Sequence, residues 1–100
     1  MHVVDEATWS WMLLAEGEEH VLSVICGTVA VYEIEFALDA EELAAYRRQG
    51  RPYIEKLADR VIISPSTFKA RHIEDFHARP GVEAAIAAWR KAADAAKRLE

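Results

Sequence analysis

The stretch VICGTVAVYEIEF, residues Val24–Phe36, decides the fold because it holds a chain reversal between two strand-like segments. After the glycine, apolar residues alternate with glutamates, which is the pattern of a strand with one buried face. One face carries Tyr32, Ile34 and Phe36, and the opposite face carries Glu33 and Glu35. The stretch therefore predicts the last strand of a small antiparallel sheet.

Two apolar segments before this stretch, 8–15 and 20–26, predict two further strands joined by the polar loop EGEE. A loop with an odd number of residues, or a bulge, is then required at Gly27. A shift of one residue in the strand pairing would otherwise place Tyr32, Ile34 and Phe36 on the wrong face of the sheet. The predicted layers of the inner face are Trp9–Cys26–Ala30, Trp11–Val24–Tyr32 and Leu13–Leu22–Ile34. Trp89 is also predicted to lie in the core.

Cys26 is the only cysteine of the chain. Free cysteines are among the most buried residues, whereas a reactive thiolate needs basic neighbours or a helix N-terminus. The neighbours of Cys26 are apolar, so we interpret it as an inert core residue. A single cysteine also excludes an internal disulfide and favours a reducing, cytoplasmic location.

The outer face of the predicted sheet mixes aliphatic residues with acids, which is typical of a contact surface. Cover by the last helix or by the N-terminal segment is an alternative that the sequence leaves open. The residues predicted to bind a partner are Glu33, Glu35, Met12, Val21, Ile25 and Val31.

Three helices are predicted to follow the strands. Asp39 and Glu42 form a capping-box pattern, Gly50 ends the first helix, and Pro52 suits the first turn of the second. The apolar positions of the second helix are Ile54, Leu57, Ala58 and Val61, and those of the last helix are Val82, Ile86, Trp89, Ala93 and Ala96. The order predicts an α+β fold in a single domain, with a three-stranded antiparallel meander (1–38) and a helical half (39–100) packed on one face.

Composition restricts the function classes. The chain has 100 residues, 52% of them hydrophobic, and a net charge of -5, as expected of one small globular domain. No apolar run predicts a membrane span, and the N-terminus lacks the basic start of a signal peptide. All Lys and Arg lie after residue 46, whereas ten acids lie before it. This asymmetry favours either attraction of a basic partner or neutralisation between the two halves. The mixing of basic residues with acids disfavours nucleic-acid binding.

The segment RHIEDFHAR, residues 71–79, groups two histidines with two carboxylates, which suits metal binding or acid–base chemistry. The spacing of His72 and His77 fits neither a helix nor a strand face, so a polar surface turn is the simpler interpretation. Glu33 and Glu35, about 7 Å apart along a strand, likewise suit a solvated face. We therefore predict no metal ligand, no cofactor and no catalytic residue. Loss of either histidine should leave folding unchanged.

In the stretches WMLL, ICGTVAVYEIEFAL and SPSTFKARHI, the chain resembles small uncharacterised bacterial proteins of about its length. Similar small acidic proteins serve as immunity partners of secreted toxins. The resemblance implies an immunity-like role in binding another protein, and it assigns no functional residue.

Two function classes follow. The first is a non-enzymatic interaction protein that binds a protein partner or a second copy of itself, with no nucleic acid and no membrane involved. The second is a small-molecule binder or small enzyme with a pocket between sheet and helices near Arg71, His72 and His77. A deep polar pocket would favour the second class, and a flat semi-apolar sheet face would favour the first.

Overall fold

A computed structural model describes residues 1–27 and 29–98 of the chain as an α+β fold. The strands are β1 (His2–Ala7), β2 (Trp11–Glu16), β3 (Glu19–Cys26) and β4 (Tyr32–Ala37). The helices are α1 (Ala40–Gln49), α2 (Arg51–Ile63), α3 (Pro65–Lys69) and α4 (Val82–Arg98), with a 3-10 turn at Phe76–Ala78. The strands form one antiparallel sheet in the order β1-β2-β3-β4.

The predicted pairing of β2 with β3 is confirmed, since Trp11 lies opposite Val24 and Ala15 opposite His20. The predicted pairing of β3 with β4 is wrong by two residues, because Cys26 pairs with Tyr32 rather than Ala30. The connecting loop is longer than expected, but a shift of two preserves the faces. Gly27 begins this loop with a φ of 93°, and a Cβ there would collide with the carbonyl oxygen of Ala30.

Strand β1 is absent from the prediction. Its pairing with β2 shifts between Val3 and Asp5, so Val4 is an extra residue in a bulge. The bulge interrupts the alternation of apolar and polar residues, which is why the strand has no clear signal in the sequence. Trp9 lies in the turn between β1 and β2 with its side chain exposed, so its predicted place in the core is wrong.

Helices cover both faces of the sheet, and the prediction of helices on one face is wrong in this respect. Helices α2 and α3 pack on the face that carries Cys26, which we call the dry face. Helix α4 and the 3-10 turn pack on the opposite face, which we call the wet face. The dry-face core is Trp11, Leu13, Leu22, Val24, Cys26, Ile34, Phe36, Ile54, Leu57, Ala58, Val61 and Phe68. The wet-face core is Val3, Met12, Leu14, Val21, Phe76, Val82, Ala85 and Ile86.

The predicted start and end of the first helix and the start of the second are confirmed. Asp39 and Glu42 form the reciprocal capping box, with bonds of 2.8 and 2.9 Å. Gly50 follows α1 with a φ of 71°, and the apolar stripe of α2 is buried throughout. In α4 only the first half of the predicted stripe is covered, since Ala93 and Ala96 are exposed.

Arginines of the helical half reach the acids of the strand half. The pairs are Arg47–Glu18, Arg51–Asp5 and Arg79–Glu19. The two halves therefore neutralise each other, which was one of the two interpretations of the charge asymmetry. Among the residues described, no helix has both the length and the apolar character needed to cross a membrane.

Candidate functional site

The sheet face predicted to bind a partner is the wet face, and most of it is covered. Met12, Val21 and Glu35 are buried beneath α4 and the 3-10 turn. The alternative of cover by the last helix is therefore the one observed. Of the six predicted residues, Val31 and Glu33 are exposed, and Ile25 is half-buried. Val31 lies in the loop before β4 rather than on the sheet face.

The segment 71–77, which we call the strap, crosses the edge of β4 from the dry face to the wet face. At the edge itself, Ile73 donates its backbone N–H to the Glu35 carbonyl at 2.7 Å. The backbone N–H of Glu35 donates to Nδ1 of His72 at 3.0 Å. The strap thereby satisfies backbone groups that an edge strand would expose.

The three residues of the predicted pocket do not share one site. Arg71 makes two hydrogen bonds to Glu42, at 2.6 and 3.0 Å, and lies over the Phe36 ring on the dry face. His72 accepts the backbone N–H of Glu35 at the edge of β4. Only His77 reaches a cavity, and that cavity lies on the wet face between the sheet and α4.

The cavity has a volume of about 70 Å³, which is room for a few water molecules, an ion or the end of one side chain. Its walls combine apolar residues of β2 and α4 with a group of polar side chains. The polar residues that line it are Glu6, Ser10, Ser23, Glu33, Glu35, His77 and Arg90. A small polar cavity with convergent side chains is thus present at His77, away from Arg71 and His72.

Glu35 is the buried acid of this cavity. Its position on β4 directs the side chain to the wet face, where only 6% of it is exposed. Burial raises the pKa of the Glu35 carboxyl, against the charge of His77 and a hydrogen bond from Ser23 that lower it. Its Oε2 atom has no hydrogen-bond partner within the described part of the chain. A buried carboxylate oxygen in this state favours a cation or a proton donor beside it.

His77 lies among three carboxylates. Nδ1 is 2.7 Å from Glu83 Oε1, whereas Nε2 is 2.9 Å from Glu33 Oε2 and 2.8 Å from Glu35 Oε2. A single N–H cannot point at two acceptors, and the hydrogen-bond geometry at Nε2 is satisfied for Glu33 alone. Burial by itself would lower the pKa of His77, but the bond to Glu83 and the charges of Glu35 and Glu33 outweigh it, so the pKa is raised.

An exposed apolar end lies beside the cavity. The turn around Trp9 and the loop before β4 emerge from the same end of the sheet, because Ile25 donates its backbone N–H to Ser10 at 2.9 Å. Trp9 is 88% exposed and has a φ of 66°, a conformation that costs a bulky residue about 1–2 kcal/mol. Val29 and Val31 in the loop are also exposed. We call Trp9, Val29 and Val31 the apolar end.

The sequence pattern points to Glu33, Glu35 and His77 as candidate residues, but not to one shared site. It gives no indication of Glu6, Ser23, Glu83 or Arg90. The alternation of apolar and polar residues in β4 already placed the two glutamates on one face of the sheet, so this half of the site was predictable from the sequence. The positions of His77 and Glu83 depend on the path of the strap, for which no local pattern exists.

Comparison with known proteins identifies no relative, because no protein-family model, curated protein or solved structure matches the chain.

Proposed function

We propose that this protein is a non-enzymatic binding protein whose cavity on the wet face accepts a small cationic group. The observation that carries this proposal is the Glu35 carboxylate, buried in the wall of the cavity with one oxygen unpartnered. An ammonium or guanidinium group would supply the hydrogen bond that this oxygen lacks.

The charges around the cavity support a cationic ligand. Glu6, Glu33 and Glu35 bring three carboxylates to the lining, against the single permanent cation of Arg90. Glu6 is held in place by the indole of Trp89, which donates to it at 2.8 Å. The lining thus carries excess negative charge on side chains that are already ordered, which reduces the entropic cost of binding.

Binding can be tested by nuclear magnetic resonance titration with methylammonium, methylguanidinium and acetate. We expect saturable shifts of the Ser23, Ile25 and Glu33 amide signals with the two cations and none with acetate. The Glu35→Gln variant should lose the response, and Glu41→Gln, an exposed acid on α1, should retain it. The proposal is wrong if no cation shifts these signals, or if Glu35→Gln responds like the wild type.

A second candidate function rests on the apolar end. Trp9 is held in solvent by an unfavourable backbone conformation, and such strain is concentrated at functional sites. Tryptophan is also enriched among the residues that dominate binding energy at protein interfaces. The apolar end therefore favours docking of a protein partner, of which a toxin bound by an immunity protein is one kind. Basic residues on the partner would complement Glu33 beside it.

Photo-crosslinking tests this second function. A benzoylphenylalanine placed at position 9 should give a defined adduct in cells that produce the protein naturally, because the partner covers that end. The same group at position 63, where Ile63 is 80% exposed on α2, is the control. An adduct of twice the chain mass indicates self-association. Equal labelling from both positions would argue against the apolar end as an interface.

A further inference from the structure

We infer that Glu33, Glu35 and His77 form a binding site for a divalent transition-metal ion, with Zn²⁺ as the expected ion. This inference deepens the proposed function and rests on it, because it names one class of cation for the same cavity. The site takes one carboxylate oxygen from each glutamate and Nε2 of the histidine.

The geometry of the three ligands suits a small ion. One ligand atom from each residue lies within 4.8 Å of the other two. In a tetrahedral zinc site, ligand atoms about 2.0–2.2 Å from the metal lie about 3.4 Å from one another. Nε2 is now 2.8 and 2.9 Å from the two carboxylates, so each of these two separations needs to open by about half an ångström.

An independent observation distinguishes this cluster from a common group of surface acids. Glu35 lines the cavity and is 4% exposed, and its Oε2 atom has no hydrogen bond within the described residues. A metal ion at the centre of the cluster would coordinate this atom directly. The cavity beside it leaves room for a water molecule as a fourth ligand, which is the arrangement of an open zinc site.

Glu83 is the positioning residue of this site. It accepts a hydrogen bond from Nδ1 of His77 at 2.7 Å, so that Nε2 is directed toward Glu33 and Glu35. A carboxylate in this position fixes the ring and its tautomer in many metal sites. The first turn of α4 supplies this carboxylate, and the strap supplies the histidine.

The charge of the lining also fits a divalent ion. The carboxylates of Glu6, Glu33 and Glu35 outnumber the guanidinium of Arg90 in the lining, which favours a cation there. One nitrogen and two oxygen ligands favour Zn²⁺, Co²⁺ or Ni²⁺ over Mg²⁺, which prefers an all-oxygen shell.

The test is calorimetric titration of the chelator-treated protein with zinc chloride, and separately with magnesium chloride. We expect one Zn²⁺ per chain and weak or absent Mg²⁺ binding. Glu35→Gln and His77→Gln should each weaken Zn²⁺ binding at least tenfold. Glu83→Gln should weaken it less, and Glu83→Asp should recover part of the loss. The controls are Glu41→Gln and His2→Gln, which change an acid and a histidine outside the cluster.

Thermal unfolding of each metal-free variant establishes that it folds, and Glu33→Gln replaces any variant that does not. Absence of Zn²⁺ binding, or binding that survives both Glu35→Gln and His77→Gln, would overturn the metal inference. Methylguanidinium separates the two proposals. If it shifts the cavity signals and Zn²⁺ does not bind, the inference fails and the proposed function stands. If neither binds, both fail.

Discussion

The two faces of the sheet are built differently. The buried core between the dry face and helices α2 and α3 is apolar, and Cys26 within it is 2% exposed. The wet face has an apolar half under α4, but Ser23 and Glu35 interrupt it and a cavity remains. A polar cavity lowers the gain from packing, so stability is expected to come mainly from the dry face and binding from the wet face.

The largest expected change in stability distinguishes two neighbouring residues of β2, one on each face. Leu13 faces the dry core with no exposed surface, whereas Met12 borders the cavity. We expect Leu13→Ala to lower the free energy of unfolding by about 3–4 kcal/mol, and Met12→Ala by about 2 kcal/mol. Urea denaturation measures both. Equal losses would show that the wet face is packed as tightly as the dry face.

The next largest change in stability is expected at the edge of β4, where the strap crosses from one face to the other. His72 accepts the Glu35 N–H there, so His72→Ala leaves a partly buried donor unpaired. Against the expectation from sequence that this change is tolerated, we now expect a loss of about 1 kcal/mol in the free energy of unfolding. His2→Ala, at an exposed histidine of β1, is the matched control for the denaturation experiment. Identical midpoints for the two variants would contradict a role for His72 at the edge.

Cys26 tests whether the dry face excludes solvent. Burial raises the pKa of its thiol, so both access and thiolate formation are disfavoured in the native state. A thiol reagent should label Cys26 only as fast as the protein unfolds, and Cys26→Ala should cost about 1 kcal/mol. Labelling at the rate of a free thiol, without loss of structure, would show that the dry face is open.

The wet face should make stability depend on pH. Because the pKa of His77 is raised in the folded state, its contribution is complete below the unfolded pKa of about 6.5 and is lost as pH rises through the folded pKa. The raised pKa of Glu35 acts in the same direction, since the native state holds its proton to a higher pH.

We therefore expect the free energy of unfolding, measured with a chelator present, to fall above pH 6.5. The change should stay below about 1 kcal/mol, because solvent screens a side chain that is 40% exposed. His77→Gln should flatten this part of the profile. A profile that is the same in both proteins would mean that other groups cause it.

The smallest effect, with the opposite sign, concerns Trp9. Glycine adopts a positive φ without strain, so Trp9→Gly should raise the free energy of unfolding by about 0.5 kcal/mol while removing the apolar end. Thermal unfolding measures the gain. A loss of stability would show that the exposed ring packs on its neighbours and has a structural role.

The sequence predicted those parts of the molecule whose cause is local. The EGEE loop was sufficient to pair Trp11 with Val24, and the capping box located the start of α1. Strand β1 was not predicted because its bulge interrupts the alternation of apolar and polar residues that indicates a strand. The length of the loop after Gly27 and the path of the strap depend on tertiary packing. The candidate site joins residues 33 and 35 with 77 and 83 through that path, so only half of it could be foreseen.

The strap also limits how copies of this chain can associate. Sheets polymerise when a strand at each side is free to hydrogen-bond with the next molecule. Here His72 and Ile73 occupy the outward N–H and C=O of Glu35 on β4, so β1 is the side more open to strand addition. Two copies joined through β1 would form a continuous eight-stranded sheet whose outer strands are both obstructed at Glu35. Addition of a third copy by the same route is therefore disfavoured, which limits the growth of fibres.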